Sequence, residues 1–488
     1  MALKREYGGI QPCIRLGMFR IRIPFIHFKI SGPEVVTGLM NACTSYGALA
    51  VLTATLGLDP DVAYALVLFE TACYTLNWLL GESSICGWIT AAMAIIVIYL
   101  ETLPEGVARL QALTTIQLEL GLLFIILGAT GLSKKLNTLM PAALKGGIVL
   151  GAGINSVAAR LKEGGAVDTA TIGCLVGLTV VCLLMFSQRI RERMATNKFL
   201  AMLGNYSFLW AVLILFIVGG LTGDFDYHFS GQLIVVPDFG AMFATVSPFC
   251  IGFAPDPATW ITAIPYALTA WIIAYGDFIT VQELGLAAVR PDEHIEFDAN
   301  RTNVICGIRN VILSLCAPYP ALAGPLSPPY CIATYARYHE GGREAMDSIY
   351  DGAGTNLIFT ALGLFIYPLY EASLAASGAL LVVIMVIQGF VCAQIACNML
   401  RDDMDKGIAG MGAGLVVARG AAVALPASIF LYLLLCNNNK IKEDYRLSKE
   451  AQEREDTESA RQLAMLEARM RGGKSEDGMP VEVHHKKE

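Results

Sequence analysis

The chain has 488 residues, 55% of them hydrophobic and only 16% charged, with a formal net charge of −7 and a mean hydropathy of +0.55. Soluble domains carry about 25% charged residues, so this composition excludes an ordinary soluble enzyme and a basic nucleic-acid-binding protein, and points to a polytopic membrane protein. Its thirteen cysteines and six histidines show no CxxC or H-x-x-x-H spacing, so no metal or thiol-redox centre and no cofactor are expected.

Residues 1–32 form a basic, amphipathic leader in which FRIRIPFIHFKI (19–30) alternates apolar with mostly basic side chains, a pattern suited to a membrane surface. No short apolar run with an A-x-A-like site begins the chain, so no cleaved signal peptide is expected. Spanning candidates follow at about 34–57, 61–80, 86–100, 110–131, 139–159, 167–186 and 204–221, and again at about 258–288, 302–317, 321–336, 352–369, 374–399, 405–416 and 417–436. The expected architecture is an all-α polytopic membrane protein of about 14 transmembrane segments. A first seven-helix repeat (33–221), an external loop (222–257), a second repeat (258–436) and a charged tail (437–488) follow the leader.

Lys and Arg gather in the leader, at Lys134 and Lys135, at Arg189, Arg191, Arg193 and Lys198, at Arg290, Arg337, Arg343 and Arg401, and in the tail; the 222–257 loop has none. The positive-inside rule places both termini in the cytoplasm. Arg109, Arg160 and Lys162 are minor exceptions. An odd number of spans per half makes the two halves inverted repeats. The third segment of each half is short and interrupted, as GESSICGWIT (81–90) and as APYPALAGPLSPP (317–329). Matched broken segments mark a transport site, and a half-helix starting near Ala321 would aim free N–H groups inward. This puts Trp88 and Thr90 in one wall of a pocket, and Ala321, Leu322, Ala323 and Leu326 in the other.

Asp277 ends a nineteen-residue uncharged run, ATWITAIPYALTAWIIAYG (258–276), that as helix rises roughly 28 Å. An acid there costs about 2.5–3.5 kcal/mol on insertion scales and marks an ion or substrate pathway. Glu283, six residues on, lies about 240° round the helix and reads as a secondary coupling acid. Arg309, in VICGIRNVILSLC, is placed either to neutralise Asp277 or to attract an anion. Lys145 lies near a helix start and reads as a snorkelling side chain. Asp402-Asp403-Met404-Asp405 has the wrong spacing for a metal-binding prenyl-transfer motif, and the glycines of 407–414 read as close helix packing. No GxxxxGK[ST] is present, which argues against ATP-driven transport.

Asp298-x-Asn300 followed by Gly307-x-x-Asn310 resembles the D-x-N…G-x-x-N run of SulP anion permeases. More broadly, residues 33–436 resemble the seven-plus-seven inverted-repeat superfamily that also includes xanthine/uracil permeases. Leu58-Asp59-Pro60, Gly87 and Pro141-Ala142-Ala143-Leu144-Lys145-Gly146 fall at family positions, Asp277 lies thirty residues before Gly307, and Pro320 thirteen after it. The chain departs from the family in Thr302-Asn303, where SulP proteins have Glu-Leu, and in Leu326, where xanthine/uracil permeases have a second acid. It also lacks the SulP arginine early in the tenth segment and a STAS domain.

The resemblance implies a secondary active transporter of a divergent bacterial branch in the inner (cytoplasmic) membrane. It would carry a small solute, an inorganic or carboxylate anion of the sulfate, bicarbonate or dicarboxylate class, with H⁺ or Na⁺ as coupling ion, by alternating access. The implied partners are that solute, the ion, the lipid bilayer and a second copy in a homodimer, with no nucleic acid. A nucleobase:cation symporter, a passive anion channel or exchanger, and an intramembrane enzyme remain the alternative readings.

Overall fold

The computed structural model describes residues 3, 5, 10–49, 51–158, 161, 166–194, 196–205, 207–289, 295–327, 330–331, 334–335, 338, 343–450 and 453. The leader is a hairpin, with β1 (Ile14–Leu16) and β2 (Phe19–Ile21) antiparallel and Arg15 opposite Arg20. Gly17 makes the turn at φ +57°, a left-handed conformation that glycine adopts without strain. The hairpin docks on the protein: the Arg20 and Arg22 backbone N–H groups donate to Leu80 and Leu79, and Arg22 Nη1 donates to the Gly81 and Glu82 carbonyls. Leu16 and Phe25 stay exposed, which leaves an apolar edge for a membrane surface.

The rest is predominantly helical. Helix α1 (Gly32–Ser45) runs into a short π-helical stretch at Val51–Thr55. Helix α2 (Pro60–Ala72) starts on the Leu58-Asp59-Pro60 motif, because Asp59 caps the Asp61 N–H and Pro60 occupies the first turn, where a missing donor is harmless. After α3 (Thr75–Leu79) come the strand β3 (Gly87–Trp88), α4 (Thr90–Glu101) and α5 (Val107–Thr130). In the second half the helices Pro257–Ala288 and Ala299–Cys316 precede β4 (Ala323–Gly324), and Arg343–Gly363 follows it.

Two groups of helices result. In the first, α1 packs on Arg343–Gly363, α5 on Pro257–Ala288, and α5 also on Ala299–Cys316. In the second, Ala142–Ala158 packs on Ser377–Met399 and Asp403–Arg419, Thr171–Phe186 on Ser207–Thr222, and Asp403–Arg419 on Ala421–Leu435. The first helix of each half therefore rests on a later helix of the other.

Among the described residues, five helices are long and apolar enough to cross a membrane by length and composition, and a sixth if Thr171–Phe186 and Gln188–Met194, bent by 57°, form one span. Several further expected spans are shorter apolar helices, such as Ala142–Asn155, Trp210–Thr222 and Val423–Leu435, or are broken. The chain is a membrane protein.

The packing expected of 407–414 is realised differently. Gly412 meets Ser428, but Gly407, Gly410 and Gly414 face open space, and the close approach comes from Gly147 and Gly151 on the opposing helix. The 402–405 acids are structural. Asp402 caps the Asp403–Arg419 helix, and Lys440 reaches Asp402, Asp405 and Asp444 at 2.6, 3.1 and 2.8 Å. The hydrogen bond from Lys440 is the main reason that the Asp402 carboxyl titrates below its ordinary range.

Candidate solute site at the crossing of the broken segments

The two broken segments meet. β3 and β4 pair antiparallel, with Gly87 opposite Gly324 and Trp88 opposite Ala323. The pairing continues outward, because Ile89 N donates to the Ala321 and Leu322 carbonyls and Ser327 N to Ile85 O. A Cβ on Gly87 would lie 2.9 Å from Ser327 Cβ, and one on Gly324 would lie 3.0 Å from the Trp88 backbone. Only residues without a side chain fit a crossing this tight. Leu322 takes φ +47°, an uncommon conformation for a branched side chain that the surrounding bonds enforce.

The motif on the Ala299–Cys316 helix builds this crossing. Asp298 caps the helix by accepting from Asn300 N and Arg301 N. Gly307 lets it press on α5, since a Cβ there would sit 2.7 Å from Gly121 O. Asn310 then grips β4, donating to Ala323 O and accepting from Ala323 N. Gln117 of α5 helps, accepting from Tyr319 N at 2.8 Å.

In front of the crossing lies a cavity of about 140 Å³. Its polar lining comes from Asn41, Thr44 and Ser45 of α1, from Thr90 at the first turn of α4, and from Ser327, Tyr330 and Thr360; Tyr74, Cys86, Trp88 and Leu357 add more of its wall. Thr44 and Tyr330 share a hydrogen bond of 2.8 Å. No charged side chain lines it among the described residues.

Of the residues singled out by sequence, Trp88 and Thr90 line the cavity. Ala321, Leu322, Ala323 and Leu326 are fully buried in and behind the crossing rather than in the cavity wall. Asp277 is half-buried and does not line the cavity, although its neighbour Phe278 joins the apolar cluster of Tyr74, Ile85, Cys86 and Leu326. The side chain of Glu283 lies outside the described residues, as do Arg160, Lys162, Arg290, Pro328, Pro329, Arg337 and most of the tail beyond 450.

Arg309 does not pair with Asp277. It is fully buried, its Nη1 donates to Gly324 O at 2.8 Å, its guanidinium lies 5.1 Å over the Tyr74 ring, and the acid it faces is Glu70 of α2. The helix geometry gives the reason. Asn303, which receives the Trp271 indole N–H of the Pro257–Ala288 helix at 3.1 Å, lies six residues before Arg309, about 240° round the helix.

Two features escape the sequence reading. One is Glu70. The other is an ion network behind the crossing: buried Arg301 reaches Glu82 at 3.3 Å and Glu296 at 3.1 Å, Thr302 donates to Glu82 at 2.8 Å, and Arg20 of the leader hairpin lies 3.6 Å from Glu296. Burial works against the Glu296 charge, but Arg301 and Arg20 outweigh it and hold the carboxyl below its ordinary range.

No protein-family model matches the chain, and neither does any curated protein. Among solved structures, the transmembrane domain of the cyanobacterial bicarbonate transporter BicA is similar at 16% identity, over 84% of this chain and 97% of that one, with a TM-score of 0.47. The murine anion transporter Slc26a9 in its inward-facing state is similar at 13% identity, over 84% of this chain and 69% of that one, with a TM-score of 0.49. A further structure of SLC26A9 gives 12% identity, coverage of 82% and 65%, and a TM-score of 0.41.

Proposed function

We propose that the chain is a secondary active transporter of a small anion, of the SulP and xanthine/uracil permease type, with two inverted seven-helix repeats. The observation that carries this reading is the β3–β4 crossing, where two interrupted segments from opposite halves pair beside a small cavity. The first turn of α4 lies at that cavity through Thr90, and helix N-termini attract negative charge. Arg309 adds a fixed positive charge behind the wall. Asp277 is the coupling acid for H⁺ or Na⁺ in this reading, with Glu283 secondary to it, and the core group of helices moves against the second group, which also offers the face for a homodimer.

The hydroxyl and amide lining favours a second reading, a nucleobase:cation symporter, because such groups suit a flat neutral solute. Leu326 stands against it, since that position would need an acid.

A thermal-shift screen of purified protein against sulfate, bicarbonate, dicarboxylates, uracil and xanthine separates the two. A solute present at a hundred times its dissociation constant stabilises by about 2.7 kcal/mol. Stabilisation by anions alone supports the first reading, stabilisation by nucleobases alone moves the assignment to the second, and a flat response to all of them counts against both.

A further inference from the structure

Glu70 of α2 and Arg309 of the Ala299–Cys316 helix are opposite charges buried beneath the crossing, each fully excluded from solvent. Each addresses one of the two strands. Arg309 Nη1 holds Gly324 O of β4, while the Trp88 indole of β3 faces the Glu70 carboxyl. The two make no direct ion pair, and each is under-bonded. Arg309 Nε and Nη2, Glu70 Oε1 and Trp88 Nε1 have no hydrogen-bond partner within 3.5 Å among the described residues, Glu70 Oε2 accepts a long bond of 3.4 Å from Thr71, and the Trp88 and Tyr74 donors stand near the same carboxyl. Among the described residues, Cys73, Tyr74, Cys86 and Tyr319 also face Glu70, and Arg309 is the cation in this group. Tyr74, Cys86 and Trp88 also form the cavity wall, which puts the charges one side chain behind the space open to a solute.

We propose that Glu70 is a proton carrier whose charge state sets the anion affinity of the cavity, with Arg309 as its fixed countercharge. Ionised Glu70 neutralises Arg309, and the wall then presents no net charge. When the Glu70 carboxylate takes a proton from water and becomes a neutral acid, the Arg309 charge is left uncompensated. A buried, uncompensated guanidinium is strongly unfavourable, and an anion in the adjacent cavity relieves it. One proton and one negative charge therefore enter together and leave together. The inference rests on the anion-transport reading and deepens it, adding to Asp277 and Glu283 a third acid, one that acts on the charge of the wall itself.

The test is an infrared titration of detergent-purified protein, wild type and Glu70→Gln, first without solute and then with sulfate, bicarbonate or fumarate as probes. Without solute, the wild type should show a carboxylic-acid C=O band that fades as the pH is raised and that Glu70→Gln lacks. The probe that stabilises the protein should carry the fading point upward by about one pH unit, a tenfold change in proton affinity, and its binding to Glu70→Gln should lose the part of its pH dependence that tracks this band. If Glu70→Gln does not fold, Glu70→Asp keeps the acid and should move the band instead of removing it.

The absence of any Glu70-dependent band overturns the proposal, and so does a band that ignores a stabilising anion. A wild type that responds to none of the probes removes the transport reading, and the solute-free band then decides alone whether Glu70 carries a proton.

Discussion

The carboxamide of Asn310 holds both backbone groups of Ala323, its Oδ1 accepting from Ala323 N at 3.0 Å and its Nδ2 donating to Ala323 O at 2.8 Å. It substitutes for a neighbouring strand on the edge of β4 that β3 leaves open. Asn310→Leu keeps the volume and strands the buried Ala323 N–H, at about 1–3 kcal/mol, while Ala323 O keeps only the weak Cys306 Sγ donor at 3.0 Å. A melting temperature several degrees below wild type is expected in detergent, together with loss of solute-induced stabilisation. Unchanged melting and binding would remove Asn310 from its supporting role.

Gly307 tests the contact that brings Asn310 there. In Gly307→Ala the new Cβ would meet Gly121 O at 2.7 Å and Ile125 N at 2.9 Å, both backbone atoms that cannot turn aside. The helices must separate, at about 1–3 kcal/mol. Gly410→Ala, with nothing within 4 Å, is the control and should melt like the wild type.

These two residues show how far the sequence is legible. Asp298, Gly307 and Asn310 stand out as a spaced motif, and the structure gives each a job: a cap, a close approach, a grip on β4. Their spacing is local to one helix, which is why a linear reading finds them. Glu70 carries the same signal as Asp277, one acid in an apolar run, but its meaning depends on Arg309, which lies 239 positions away in the chain. Half of the Arg301 network is hidden for the same reason, since Glu82 comes from the broken segment 219 positions away, whereas Glu296 lies in the loop just before the helix. The pairing of Arg309 with Asp277 fails because proximity along the chain says nothing about which face of a helix a charge occupies.

Arg301 should be the most sensitive charge for folding. Arg301→Gln leaves Glu82 buried without its cation, a loss of about 3–5 kcal/mol. Adding Glu82→Gln should restore part of it, and a double variant no more stable than the single one would show that the two do not act as a pair. The network also sets an acid limit. Glu296 titrates below its ordinary value of 4.5 in the folded protein, so its contribution is fully present above that value and is lost as the pH falls through the lowered one. Melting curves taken downward from neutral pH should fall more steeply for the wild type than for Glu296→Gln in that acid range.

Asp277→Asn removes a charge while keeping shape. On the coupling role proposed for it, its loss should lower concentrative uptake in proteoliposomes by tenfold or more while solute exchange persists. Because Arg309 faces Glu70 rather than Asp277, adding Arg309→Gln should not rescue the variant. Undiminished gradient-driven uptake by Asp277→Asn would take the coupling role away from it.

Topology can be read at Cys250, which is exposed in the 222–257 segment. An impermeant thiol reagent added outside intact cells should label it, and Cys250→Ser should abolish that labelling. Labelling that appears only after permeabilisation would reverse the orientation.

The β3–β4 pairing joins residues about 235 positions apart. At about 5–20 residues per second, a ribosome takes roughly 10–50 s to supply β4 after β3 has emerged. Through that interval the first half must sit in the membrane with an open strand edge and with Glu82 lacking Arg301. Biogenesis of this chain therefore needs either a chaperoning membrane partner or a loosely docked first half that waits for its mate, and a truncation ending in the 222–257 segment should be degraded rather than accumulate as a folded unit.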